Sequence, residues 1–167
     1  MAWEKITAEA ISGNLIERIG KQWFLLTAGT EENWNTMTCS WGMAGVLWNQ
    51  PAVTCYVRQS RHTFGFMESQ DSFTLSFFPE ACRKALAYCG SHSGRDFDKA
   101  AATGLHPVTL SGGVSFAEAE LVLVCKKRYA ADIALKDLPA DIAKSYYAGD
   151  AAHKMFVGEI TAVYRNV

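Results

Sequence analysis

Three short stretches of this sequence gather side chains able to hold an anion or the polar edge of a ring. The first, Asn35 to Gly42, reads NTMTCSWG. A strand alternates faces at every residue, so Thr36, Thr38 and Ser40 point the same way and form a row of three hydroxyls. Such a row, with strand-end amides, offers fixed donors to a phosphate monoester; it equally describes a Thr-rich strand facing solvent. The second, YVRQSRHTF from Tyr56 to Phe64, places Arg58, Ser60, Arg61 and Thr63 within six residues at a strand-to-helix junction. A helix start presents free N–H groups, and two guanidiniums beside it could neutralise a dianion in a bidentate fork. An exposed loop with Ser60 as helix cap and solvated arginines fits the same letters. The third, GSHSGRDFDK from Gly90 to Lys99, is a glycine-bounded turn carrying Ser93, Arg95 and Lys99.

Motifs for other chemistries are missing. The Gly90–Lys99 turn is neither a G-x-S-x-G elbow, since its centre is His92, nor a Walker loop, since no G-K-[ST] closes it. No G-x-G-x-x-G follows a strand, so a Rossmann dinucleotide site is excluded. Cys39 beside Ser40 has no His nearby in sequence, which leaves a nucleophilic cysteine hydrolase a distant reading. Trp34, Trp41 and Trp48 fall within fifteen positions, with Phe64 and Phe66 close behind. Most of these rings belong in a core, but Trp41, next to the hydroxyl row, is the best candidate wall for a flat apolar slot.

Taken in order, NTMTCSWGMAGVLWNQPAVTCYVRQSRHTF, CGSHSGRDFDK and HKMFVGEI resemble the flavin reductase-like (FMN-binding split barrel) family, including its flavoredoxin-type members. The similarity spans Trp23 to Val163. It implies a mainly β protein: a small antiparallel Greek-key split β-barrel with a few peripheral short helices, forming a homodimer with FMN held non-covalently near the subunit interface. On the matching positions, Met37, Thr38, Cys39, Ser40 and Trp41 would line the isoalloxazine, largely through backbone amides. Arg58, Ser60, Arg61 and Thr63 would hold the phosphate, and Ser93, Arg95 and Lys99 would close over the phosphate or the ribityl chain. His153 would face the nicotinamide or substrate side of the ring. The flavin itself would supply the redox chemistry, so no general acid or base is required. Two activities stay open: hydride transfer from NADH or NADPH through FMN to free flavin or another small acceptor, or a flavoredoxin-like electron carrier with a protein partner. A barrel holding another phosphate ligand or haem is a third reading.

The elements that must position these residues read as mostly strand. NLIERIG at Asn14–Gly20 is a short helix. Strands follow at Trp23–Gly29, Trp34–Gly42, Ala44–Trp48 and Ala52–Arg58, separated by EEN, a Gly-Met-Ala-Gly turn and Asn-Gln-Pro. His62–Gln70 is a short helix, Ser72–Phe78 a buried strand, and a helix opening at Pro79 ends at Gly90. Gly94–Gly104 is polar with a short helical core, and Gly112–Gly113 form a hairpin turn. Glu118–Tyr129 alternates as a long strand, a short helix ends at Gly149, and HKMFVGEITAVYR closes the sheet.

At 167 residues the chain has the length of one domain, which buries roughly 70% of its unfolded surface, and no linker or repeat divides it. Sixteen Lys and Arg against seventeen Asp and Glu leave a net charge of −1, so no global field collects nucleic acid or anionic lipid. The KKR run at Lys126–Arg128 alternates faces on a strand and is read as a solvated edge. No stretch approaches the ~20 apolar residues of a spanning helix, and the first residues lack a secretory signal. Five cysteines, an odd number without a CxxC pair, read as reduced thiols of a cytoplasmic protein with no disulfide framework and no metal site.

Overall fold

A computed structural model describes residues 2–167. In chain order it contains β1 (Trp3–Ile6), α1 (Leu15–Glu17), β2 (Phe24–Gly29), β3 (Trp34–Cys39), β4 (Gly42–Leu47) and β5 (Gln50–Arg58). There follow α2 (His62–Ser69), β6 (Ser72–Phe77), α3 (Arg83–Ser91), α4 (Lys99–Thr103), β7 (Pro107–Leu110) and β8 (Gly113–Phe116). The chain ends with β9 (Leu121–Asp132), α5 (Ala140–Tyr147) and β10 (His153–Asn166).

Every strand pairing is antiparallel, and the main sheet runs β3-β2-β6-β9-β10-β5-β4. The long strand β10 pairs with β9 along its length, with β5 beside its first half and β1 beside its end. Long crossovers join neighbours that are not consecutive, as a Greek-key split barrel requires. β2, β6 and the first five residues of β9 bury both faces, and the alternation sorts their side chains into two cores. Phe24, Leu26, Met37, Cys39, Val57, Leu75 and Phe156 fill the inner face. Leu25, Val122 and Val124 face outward against Leu86 and Cys89 of α3 and Phe116 of β8. Helix α2 packs Met67 onto the inner core, with Phe64 and Phe66 beside it.

Several boundaries differ from those expected, each for a local reason. The Gly-Met-Ala-Gly stretch is not a turn: both glycines belong to β4, and the break between β3 and β4 falls at Ser40 and Trp41. A Cβ on Gly42 would lie 2.9 Å from the Thr54 carbonyl oxygen, so strand contact rather than a turn demands this glycine. The β4–β5 hairpin turns on Trp48 and Asn49, both at positive φ, which leaves Pro51 free to start β5 where only β4 pairs with it. Likewise Ser111 and Gly112 make the β7–β8 turn. Gly113 is already strand, against Thr74. The helix at Asn14 carries on through a widened turn to Gln22, and Pro79 precedes a short 3₁₀ turn ahead of α3. No helix among the described residues is long and apolar enough to cross a membrane.

Candidate functional site

Three adjoining cavities follow β3. The first, of about 260 Å³, is lined by Met37 to Trp41, Tyr56, Arg58 and His153. A second, of about 290 Å³, is lined by Asn35, by Ser60 to Thr63 at the start of α2, by Ser91 to Arg95, and by Lys99. Between them a third shares Thr38, Cys39 and Ser40 with the first and Ser91 with the second. The strand of the hydroxyl row and the turn behind β5 therefore border a run of adjoining cavities linked through shared walls.

Lys99 is the most constrained cation in it. Only 5% exposed, its ammonium donates to the carbonyl oxygens of Thr36, at 2.7 Å, and Cys89, at 2.8 Å. An ammonium has three N–H groups, so one remains beyond these two carbonyls. Burial and the neighbouring Arg61 pull its pKa from 10.5 down to about 8, against the opposing pull of Cys89. The shift corresponds to a cost on the order of 3 kcal/mol for keeping this charge. Among the described residues no ion pair joins Lys99, Arg61 or Arg95 to a carboxylate. Arg61 gives one N–H to the Gly90 carbonyl at 3.0 Å and Arg95 gives one to that of Ser60 at 3.4 Å, so each keeps donors. At the start of α2, in the same place, the Phe64 amide is taken by the Arg61 carbonyl at 3.0 Å, which leaves the preceding amides of His62 and Thr63 at the helix terminus. This corner holds three cations and is short of negative charge.

Its walls are close-fitting. The Asn35 amide donates to the hydroxyl of Thr63, which is fully buried, at 2.7 Å. A Cβ on Gly94 would come within 1.9 Å of Asn35 Oδ1, so only glycine lets the Gly90–Lys99 turn close against β3. Burial, with Arg95 and Lys99 nearby, lowers the pKa of His62.

The first cavity is different in character. His153 opens β10 there, with Nδ1 3.0 Å from the Tyr147 hydroxyl and its ring 5.1 Å from that of Trp41. Burial, then Arg58, lowers the His153 pKa, so the imidazole is neutral at pH 7. Cys39 lies 7% exposed on the floor, and burial drives its pKa up to about 12 against a smaller pull from Arg61. A thiol so hard to ionise is no nucleophile, which removes the cysteine hydrolase reading.

Two sequence expectations need correction. Thr36 and Thr38 do share a face of β3, which ends at Cys39 before Ser40, but both are spent within the protein. Thr36 bonds the Thr27 hydroxyl at 2.8 Å, and Thr38 donates to the Leu86 carbonyl, so of the three only Ser40 keeps a hydroxyl without a protein partner. Arg58 does not join Arg61. Its guanidinium turns toward the end of α5, donating to the carbonyls of Tyr146 and Ala151 and pairing with Asp150 at 3.0 Å. Ser60, Arg61, Thr63, Ser93, Arg95 and Lys99 do come together, as do Met37 to Trp41 with His153. Asn35, Tyr56, His62 and Gly94 were not singled out; Asn35 and Gly94 stand inside the first and third motifs, where their spacing to the cations was the available signal.

A family model described as flavin reductase like domain matches residues 16–166. Among solved structures, flavoredoxin from Methanosarcina acetivorans superposes with a TM-score of 0.67 at 24% identity, over 87% of this chain and 68% of that one. An FMN-binding protein from Thermus thermophilus, solved with a bound cyclohexenone, gives 0.69 at 21% identity over 97% and 80% of the two chains. An NADH:FAD oxidoreductase from Streptomyces globisporus gives 0.66 at 18% identity over 87% and 75%. At these identities the superpositions establish a shared fold. No curated protein matches the chain.

Proposed function

The chain belongs to the flavin reductase like domain family, and from that premise we propose that it is an FMN-dependent oxidoreductase of the cytoplasm, taking electrons from NADH or NADPH and passing them to free flavin or another small acceptor. One observation carries the FMN assignment: Lys99 is a buried cation with no carboxylate partner, and it borders a cation-lined corner joined to a slot between β3 and His153. A phosphorylated ring compound supplies the missing negative charge and fills both ends.

In this reading Arg61, Arg95, Lys99 and the α2 amides hold the phosphate, and Asn35 with Gly94 fixes the turn that closes on it. Met37 to Trp41 line the ring. When bound, FMN supplies the hydride and single-electron chemistry. Tyr147 orients the neutral His153 on the open side of the slot, where the imidazole positions the electron donor. A homodimer is supported by the edge formed by β4 and the turn after it, whose Met43, Val46 and Trp48 stand 58%, 78% and 61% exposed. Sedimentation equilibrium tests it, with a monomer as the refuting result.

The test of function is the visible spectrum of the purified protein, followed by anaerobic addition of each nicotinamide. A flavin spectrum bleached by NADH or NADPH supports the proposal, and a colourless protein that takes up no FMN overturns it. The electron-carrier reading is favoured by the exposure of Trp41, 44%, at the mouth of the slot, through which a partner protein could approach. A flavin spectrum without turnover of either nucleotide would decide for the carrier.

A further inference from the structure

Behind Trp41 lies a cavity of about 720 Å³ that none of the site chemistry uses. Its walls come from the α1 segment (Ile16, Ile19), from β4 (Met43), and from Ile133, Leu138 and Ile142 across the opening. None of the described side chains that line it is charged. The polar side chains among its described walls are Ser40 and the hydroxyl-bearing Tyr56 and Tyr147. Ser40, Trp41 and Tyr56 are at once walls of this cavity and of the slot that ends at His153, so the two adjoin along these residues. Tyr147 lines the cavity and bonds His153, which lines the slot.

We propose that this cavity is a binding site for an uncharged, planar ring compound of one or two fused rings bearing a hydroxyl or carbonyl. The volume lies in the usual range for small-molecule sites, and the composition matches their pattern of apolar walls with a few placed polar groups. Tyr56, Tyr147 and Ser40 address the single polar substituent, while the aliphatic walls take the ring. Charged ligands are disfavoured, because an anion here would lose its hydration with no cation to replace it. A pyridine dinucleotide, with its pyrophosphate, is therefore the wrong occupant. That the occupant serves as acceptor for the flavin rests on the proposed function; that it binds does not.

The experiment titrates the full chain, with and without FMN, by calorimetry using two probes of the same ring, naphthol and naphthalenesulfonate. Naphthol is expected to bind with a Kd on the order of 10 µM, a modest value for so small a ligand. Naphthalenesulfonate should bind at least about tenfold more weakly. Two variants at Ile142, which is 37% exposed on α5 and so tolerant of change, locate the site. Ile142→Trp fills the cavity and Ile142→Asp charges it; each should weaken naphthol by about tenfold or more while FMN affinity stays within about twofold. Absence of naphthol binding, equal binding of the sulfonate, or unchanged binding in both variants would overturn the proposal. So would a wild-type dimer that the variants dissociate with parallel loss of naphthol binding, since these walls would then face a second copy of the chain. If FMN fails to bind while naphthol binds as described, the flavin reading falls and the cavity assignment stands.

Discussion

Lys99 makes the affinity for FMN depend on pH in a direction and amount that follow from its environment. Free of ligand its pKa is about 8, and a phosphate dianion placed beside it favours the charged form. Below pH 8 the ammonium is present and binding has full strength. Above it a proton must first be taken up, and Kd rises by the ratio of total to protonated lysine, about elevenfold at pH 9, or about 1.4 kcal/mol. A phosphate monoester has its second pKa near 6 and stays dianionic, arginines stay charged, His62 and His153 are lowered, and the Cys39 thiol ionises near 12. The flavin-free protein moves the other way. Between a folded pKa of about 8 and the ordinary 10.5 the unfolded chain binds more protons at this site, so this lysine's contribution to stability improves as pH rises through that window. Flavin-fluorescence titrations at pH 7, 8 and 9 read the first effect, and thermal melts with and without FMN read both. Lys99→Met should bind FMN weakly and without the pH slope. A wild-type Kd flat within about twofold from pH 7 to 9, or a slope kept by Lys99→Met, would refute the reasoning.

Replacing Arg61 with Ala removes a charge-assisted donor and should cost about 1.5–3 kcal/mol of FMN binding, roughly ten- to a hundredfold in Kd by the same titration. Gly94→Ala drives a methyl into Asn35 Oδ1 and breaks its bond to Thr63; FMN affinity should fall about tenfold or more, with a smaller loss in urea stability. Gly158→Ala sets a Cβ 2.4 Å from Phe73 Cζ and 2.9 Å from Cys125 Cβ, so urea unfolding should show about 1–3 kcal/mol of lost stability from overpacking, with FMN affinity little changed in the folded fraction. His153→Asn should lower steady-state NAD(P)H turnover several-fold and leave the FMN Kd within about twofold, a split that parallel assays would expose.

How far the residues announced this arrangement can be traced element by element. β5, β6 and β10 follow from β-rich, alternating or continuous apolar runs, and the cation cluster follows from its own spacing. β1 was missed because WEKI is short and half charged; it is a strand only because the end of β10 pairs with it. The fate of the hydroxyls was equally out of reach. Period-two alternation puts Thr36 and Thr38 on one face, but whether that face meets solvent or α3 depends on Leu86, some fifty positions away. Arg58 misled for the same reason: its partners Tyr146, Asp150 and Ala151 arrive by way of α5, which sequence proximity to Arg61 cannot reveal. Side-chain type and spacing thus mark where a charge is placed, and long-range packing decides which charges remain unspent.

Strands β3 and β4 stand at opposite ends of the sheet path, joined through Ser40 and Trp41, and among the described residues neither hydrogen-bonds to the other. The rolled sheet therefore has a seam, and the proposed cofactor slot runs beside it, lined by β3 and the Ser40–Trp41 link on one side and by Tyr56 and Arg58 of β5 and His153 of β10 on the other. Loading such a slot acts as a clasp. Amide exchange along β3 should slow when FMN is added, more than in β6 or β9 at the centre of the sheet, because the weakest line of the roll is the one the ligand lies beside.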